Sequence, residues 1–90
     1  MFYLYILRSR KDGRFYTGVT KDLKDRIKRH DENRSLSTKN RGPYDLVYYE
    51  IYDSRSDAMK RERYLKSLEG GPMKKVLVEE FDQEKLIALQ

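Results

Sequence analysis

Arg26 and His30 stand four residues apart, a spacing that puts two side chains on one face of a helix. An arginine so placed can fork onto a phosphate, and a neutral imidazole can take a proton near neutral pH. Glu62 is a second feature. Ala58 precedes it by four and Leu65 follows by three, so its carboxylate falls in an otherwise apolar helical stripe, where an unpaired charge is costly. Lys66, four residues on, can pair with it. The same carboxylate can instead hold a Mg²⁺ ion that keeps most of its waters and borrows phosphate oxygens. The third feature is tyrosine. There are eight, and Tyr3, Tyr5 and Tyr16 fall on an expected hairpin, with Tyr3 and Tyr5 on one face by two-residue alternation. Tyr16 joins them if the register allows.

Together these are the parts of metal-assisted phosphodiester hydrolysis: a guanidinium against phosphate charge, a carboxylate for a cation, and a phenol or imidazole for the proton of an attacking water. Each part has an ordinary reading as well. The tyrosines suit half-buried strands with hydroxyls at the rim. Arg26 can pair with Asp22, His30 suits a helix C-terminus, and Glu62 can simply pair with Lys66. The residues alone leave both readings open.

The elements that must position these groups follow from local pattern. Phe2 to Leu7 is aromatic and β-branched and reads as a strand. Lys11-Asp12-Gly13 reads as a tight turn, and Arg14 to Val19 as the returning strand. Thr20 or Asp22 caps a helix through Leu23, Ile27 and about His30. The polar run from Asp31 to Pro43 reads as a loop or short broken helix. Tyr44 to Ile51 is a third strand. Ser54 or Ser56 caps a second helix that ends before Gly70-Gly71-Pro72. Met73 to Phe81 fits a helix or a short strand, and Lys85 to Gln90 a frayed helical end. The order implies an α+β domain over residues 1–90, a three-stranded antiparallel sheet flanked by helices.

Composition narrows the function classes. The chain has no cysteine and one histidine, which excludes disulfides, thiolate metal sites and a His-rich zinc centre. Lys and Arg number 20 against 15 Asp and Glu, a net charge of +5 that favours an anionic partner such as nucleic acid. The excess falls in residues 8 to 66; Glu79, Glu80, Asp82 and Glu84 make the end acidic. Lys21, Lys24, Lys28, Arg29, Arg34, Lys39 and Arg41 are the expected phosphate contacts, salt-sensitive and poor in sequence information. The first ten residues lack the layout of a signal peptide and no stretch suits a membrane span, so a cytoplasmic location is expected.

In order and spacing the candidate residues resemble the GIY-YIG nuclease family. Tyr3-Leu4-Tyr5 stands where that family has its first motif and Tyr16-Thr17-Gly18 where it has its second. Arg26 with His30 fits its catalytic helix, and Glu62 with Lys66 its metal-binding helix. The match runs from Tyr3 to about Leu68 and is most similar to small stand-alone members with a Tyr-x-Tyr opening, akin to the N-terminal domain of excision-repair nucleases. Two departures stand out: Tyr3 replaces the motif's first Gly, and no Asn follows Asn40, where many members use one near the domain's end. The resemblance implies a divalent-metal-dependent DNA endonuclease of the kind that serves repair or recombination. It implies catalytic roles for Tyr5, Tyr16, Arg26, His30 and Glu62, with Tyr3, Gly18 and Lys66 in support. Tyr16 would position the attacking water. A phenol titrates near pH ~10, so it needs a proton acceptor, for which His30 is the candidate, or a metal's field. One Mg²⁺ or Mn²⁺ ion would sit on Glu62. The partner would be nucleic acid, DNA rather than RNA, engaged by a monomer or weak homodimer. Two other functions fit the same chain: a nucleic-acid-binding module that does not cut, and a protein-interaction adaptor using an apolar patch at Val76 to Phe81.

Overall fold

The computed structural model describes residues 1–31, 43–68 and 70–89. Three strands, β1 (Phe2–Ser9), β2 (Phe15–Thr20) and β3 (Tyr44–Tyr52), form an antiparallel sheet in the order β2-β1-β3. The helices are α1 (Leu23–Asp31), α2 (Arg55–Lys66), α3 (Met73–Glu80) and α4 (Gln83–Leu89). The α+β class and three-stranded sheet read from the sequence are those observed. The ambiguous stretch after Pro72 is helical.

As the central strand, β1 buries both of its faces, which is why Leu4, Tyr5, Ile6 and Leu7 are all buried in an unbroken run. One face carries Tyr5, Leu7, Tyr44 and Leu46 under Leu23 of α1 and Leu86 of α4. The reverse face carries Leu4, Ile6 and Tyr48 against Leu65 of α2, with Leu77 and Val78 of α3 alongside. Phe81, between α3 and α4, packs edge-on against both Tyr48 (4.9 Å) and Tyr49 (5.3 Å), neighbours that point to opposite faces of β3. The α3–α4 elbow therefore wraps the β3 edge, which leaves that part of the strand less open to pairing with another chain. Leu77, Val78 and Phe81 are thus spent on the protein's own core. Val76 is half-exposed and is what remains of the apolar patch expected there.

The β1–β2 connection is longer than a two-residue hairpin. The Ser9 hydroxyl points inward and accepts hydrogen bonds from the Lys11 and Asp12 amides (3.1 and 3.3 Å), opening the turn to residues 10–14. Gly13 supplies the one positive φ this turn needs, at 74°. Asp22 caps α1 by accepting from the Asp25 amide (3.1 Å), while the Thr20 hydroxyl shapes the entry through the Asp22 amide (3.2 Å). Ser54, not Ser56, caps α2 through the Asp57 amide (3.1 Å).

A bulge marks β3. Ile6 pairs with Tyr48 and Leu7 with Leu46, so Val47 is an extra residue on the β3 side. Side chains alternate along a strand, so one insertion flips all that follows. Tyr44 and Leu46 lie on the α1 face, but Tyr48 turns to the α2 face.

Candidate active site

The β1–β2 register decides where the tyrosines go. Tyr5 pairs with Gly18 and Leu7 with Tyr16, so Tyr5, Tyr16 and Tyr3 share the α1 face. Tyr16 packs edge-on against Tyr44, with ring centroids 5.4 Å apart, and Tyr3 packs likewise against Tyr49 at 6.2 Å. Gly18 is required on steric grounds, because a Cβ there would lie 2.6 Å from the Tyr5 ring carbon that bears the hydroxyl, and closer still to the oxygen. The Tyr5 ring crosses β2 through the gap left by the missing side chain. Its phenol is thereby carried from the central strand toward the β2 side of the sheet.

The charges of Arg26 and Glu62 both reach the phenol. Arg26 is half-buried on α1, between buried Leu23 and half-buried Ile27. Glu62 lies in the stripe of buried Ala58 and Leu65, as its spacing predicted, with its side chain 20% exposed. The two helices pack on opposite faces, yet both charges act on Tyr5. Burial pushes the Tyr5 phenol up to about 12, the Arg26 charge pulls it down, and the Glu62 charge pushes it further up. At neutral pH Tyr5 therefore keeps its proton and can donate a hydrogen bond to an oxygen placed before it. Arg26, Tyr5 and Glu62 thus share one electrostatic neighbourhood.

Glu62 also pairs with Lys66 at 3.4 Å. Among the described residues no group of three or more His, Cys, Asp or Glu side chains could cage a metal. A single hard carboxylate suits a hydrated Mg²⁺ or Mn²⁺ ion whose remaining positions are filled by water and phosphate oxygens. The donor chemistry at Glu62 fits the expected ion in that mode.

The remaining expected residues divide into placed and undescribed. His30 and Arg29 fall in the last turn of α1, and their side chains lie outside the described residues, as do Arg34, Lys39 and Arg41 entirely. Lys24 and Lys28 are exposed on α1, and Lys21 is exposed with its ammonium 5.3 Å from the centre of the Phe2 ring. One cluster escaped the sequence reading. Glu50 on β3 accepts hydrogen bonds from the Tyr48 hydroxyl, the Tyr52 hydroxyl (2.6 Å) and Arg61 Nε and Nη2 of α2 (3.2 Å each). Burial opposes the charged form of Glu50, but these donors outweigh it and hold the carboxyl below its usual range. Arg61 comes from α2 and the two tyrosines from β3, so the cluster ties α2 to β3. It orients the helix that bears Glu62. Only the bulge, invisible to strict alternation, brings Tyr48 to that face.

Comparison with known proteins supports the family and the fold. The GIY-YIG catalytic domain matches residues 1–76. A UPF0213 protein of Staphylococcus saprophyticus is 44% identical over 66 residues, covering 72% of this chain and 79% of that protein. A UPF0213 protein of Clostridium perfringens is 44% identical over 69 residues, covering 76% and 73%. The solution NMR structure of a UPF0213 protein from Bacillus halodurans superimposes with a TM-score of 0.57 at 31% identity, over 97% of this chain and 94% of that one. No helix among the described residues is long and apolar enough to cross a membrane. With its motifs in order on the matching fold, the chain belongs to the GIY-YIG catalytic domain family.

Proposed function

We propose that this protein hydrolyses phosphodiester bonds of DNA around the Tyr5 phenol, on the β2 side of the sheet. The observation that carries this reading is the position of the Tyr5 phenol, under the influence of both Arg26 and Glu62. A phosphate-handling site requires an arginine and a carboxylate whose charges act at one place, and here both act on one phenol.

Arg26 counters charge that builds on the phosphate in the transition state, where a prepositioned guanidinium acts most strongly. Tyr5, protonated, donates to a phosphate oxygen and fixes the orientation of the phosphorus. Tyr16, braced by Tyr44, positions the attacking water, and His30 accepts the proton. Glu62 would hold one Mg²⁺ or Mn²⁺ ion on the leaving-group side, displacing Lys66. When bound, such an ion supplies Lewis-acid polarisation of a phosphate oxygen. The exposed lysines of α1 hold the flanking backbone without reading sequence.

The test is nicking of supercoiled plasmid by purified protein in Mg²⁺ or Mn²⁺. The expected outcome is conversion to open circles by the parent and loss of about 10²-fold or more in rate for Glu62→Gln and for Arg26→Ala. Two variants that cut as fast as the parent would place the activity elsewhere and end this reading.

A further inference from the structure

Thr17, between Tyr16 and Gly18 on β2, carries an anomaly that the roles assigned above leave unused. Its hydroxyl oxygen is closed off from solvent and makes no hydrogen bond among the described residues. A buried hydroxyl in that state is costly, and valine would fill the same shape without the cost. Tyr16 and Gly18 lie on the α1 face, so alternation turns Thr17 to the α2 face, where α2 packs across β2. The course of α2 decides which of its side chains lies above Thr17. Ala58 and Leu65 are buried on the helix's sheet-facing stripe. Arg61 and Glu62 flank that stripe, about 100° apart and one on each side. Arg61 reaches Glu50 of β3, so Glu62 falls on the opposite flank, toward β2. Its charge acts on Tyr5, whose ring crosses β2 at Gly18, next to Thr17 in the strand. The level along the strands agrees. Arg61 meets Glu50, in the row Glu50–Leu4–Val19, and Leu65, one turn later, packs in the cluster with Ile6, in the row Tyr48–Ile6–Thr17. Glu62 lies between these rows, with its side chain 20% exposed.

We propose that Thr17 is a positioning residue for Glu62: its hydroxyl is the donor that the carboxylate takes up when it turns away from Lys66 to serve as a metal ligand. In the structure Glu62 is bound to Lys66 at 3.4 Å, and the Thr17 hydroxyl is left over. Of Arg55, Met59, Glu62 and Lys66, which share the β2 flank of α2 by spacing, only Glu62 carries an acceptor oxygen on its side chain. Released from Lys66, the carboxylate can give one oxygen to a divalent ion and accept from Thr17 at the other. That second bond fixes the orientation of the first, as the hydrogen bonds around ligating carboxylates commonly do. Threonine thus lowers the stability of the Lys66-bound state and holds the ligand in the other, a trade common at functional sites. The metal-positioning role rests on the nuclease reading above, whereas the hydrogen bond to Glu62 does not.

The test joins a melting cycle in EDTA to a Mg²⁺ titration of plasmid nicking. Lys66→Met removes the partner that Glu62 has in the structure. In the parent background Thr17→Val is expected to melt with the parent or up to about 4–8 °C above it, because an unpaired hydroxyl is removed. In the Lys66→Met background the same change is expected to lower Tm by a similar amount, because there the hydroxyl is bound to Glu62. In nicking, Thr17→Val is expected to need about 10-fold more Mg²⁺ for half-maximal rate, and Thr17→Ser to restore the parent's requirement. A hydroxyl that serves packing alone would move neither the Mg²⁺ requirement nor the sign of the melting effect. Circular dichroism of each variant checks the fold. If Thr17→Val changes Tm alike in both backgrounds, Thr17 does not bond Glu62 and the proposal is overturned. If the parent nicks and Thr17→Val needs no more Mg²⁺, the positioning role is overturned while the nuclease reading stands. If the parent does not nick, the nuclease reading falls, and the melting cycle alone decides whether Thr17 serves Glu62.

Discussion

Gly18→Ala isolates the contact on which the candidate site is built. Gly18 takes no positive φ, so its backbone suits alanine, and the lower entropy of the unfolded chain would by itself stabilise the variant by about 0.4–1 kcal/mol. The Tyr5 ring opposes this. The new methyl would stand 2.6 and 3.1 Å from two ring carbons, and the ring is buried with little room to retreat. Overpacking of that kind costs about 1–3 kcal/mol. The net loss is about 1–2 kcal/mol, a fall of roughly 5–15 °C in Tm for a domain of this size. The sign should reverse with Tyr5→Leu as the background, where the ring is gone: there Gly18→Ala becomes neutral or stabilising by up to ~1 kcal/mol. With Tyr5→Phe, which keeps the ring, the loss should persist. Thermal denaturation of the parent, the three single variants and the two double variants provides both cycles. If Gly18→Ala melts with the parent, or costs the same with and without the Tyr5 ring, then the phenol does not cross β2 at this glycine and the described convergence is lost with it.

The Glu50 cluster and the buried phenols give stability a pH signature. Glu50 has a depressed folded pKa, so its contribution to stability is present above its ordinary 4.5 and is lost as pH falls through the lower folded value; Glu50→Gln should flatten that acid limb in urea melts. Tyr5 and Tyr52 are pushed up to about 12, and Tyr48 higher still, chiefly by burial, so the stability they confer is full below pH ~10 and is lost as pH rises through those folded values. Ultraviolet titration should therefore show these phenols ionising only together with alkaline unfolding; smooth ionisation of every phenol near pH ~10 in the folded protein would contradict the burial described. Ser54→Ala removes the α2 cap and should cost about 1 kcal/mol, a drop of roughly 4–8 °C, whereas Ser56→Ala should change Tm by less than half of that.

Local pattern carried much of this protein. Alternation placed Tyr3 and Tyr5 on one face, four-residue spacing put Glu62 in the buried stripe of α2, and Asp22 and Ser54 were each one of two named caps. These depend on neighbours in the chain, and short-range geometry is what residue type and spacing encode. Three matters were decided only by tertiary structure. The Ser9 hydroxyl lengthened the hairpin because it was turned inward, where it met two amides. The extra residue Val47 rotated Tyr48 to the far side of the sheet and made the Glu50–Arg61 tie, and a bulge depends on the partner strand rather than on the strand's own residues. The joint action of Arg26 and Glu62 on Tyr5 required two helices on opposite faces and a ring passing over a glycine. Each residue announced its chemistry in the sequence, but charges separated by tens of residues act on one phenol only after the sheet has set the distance between them.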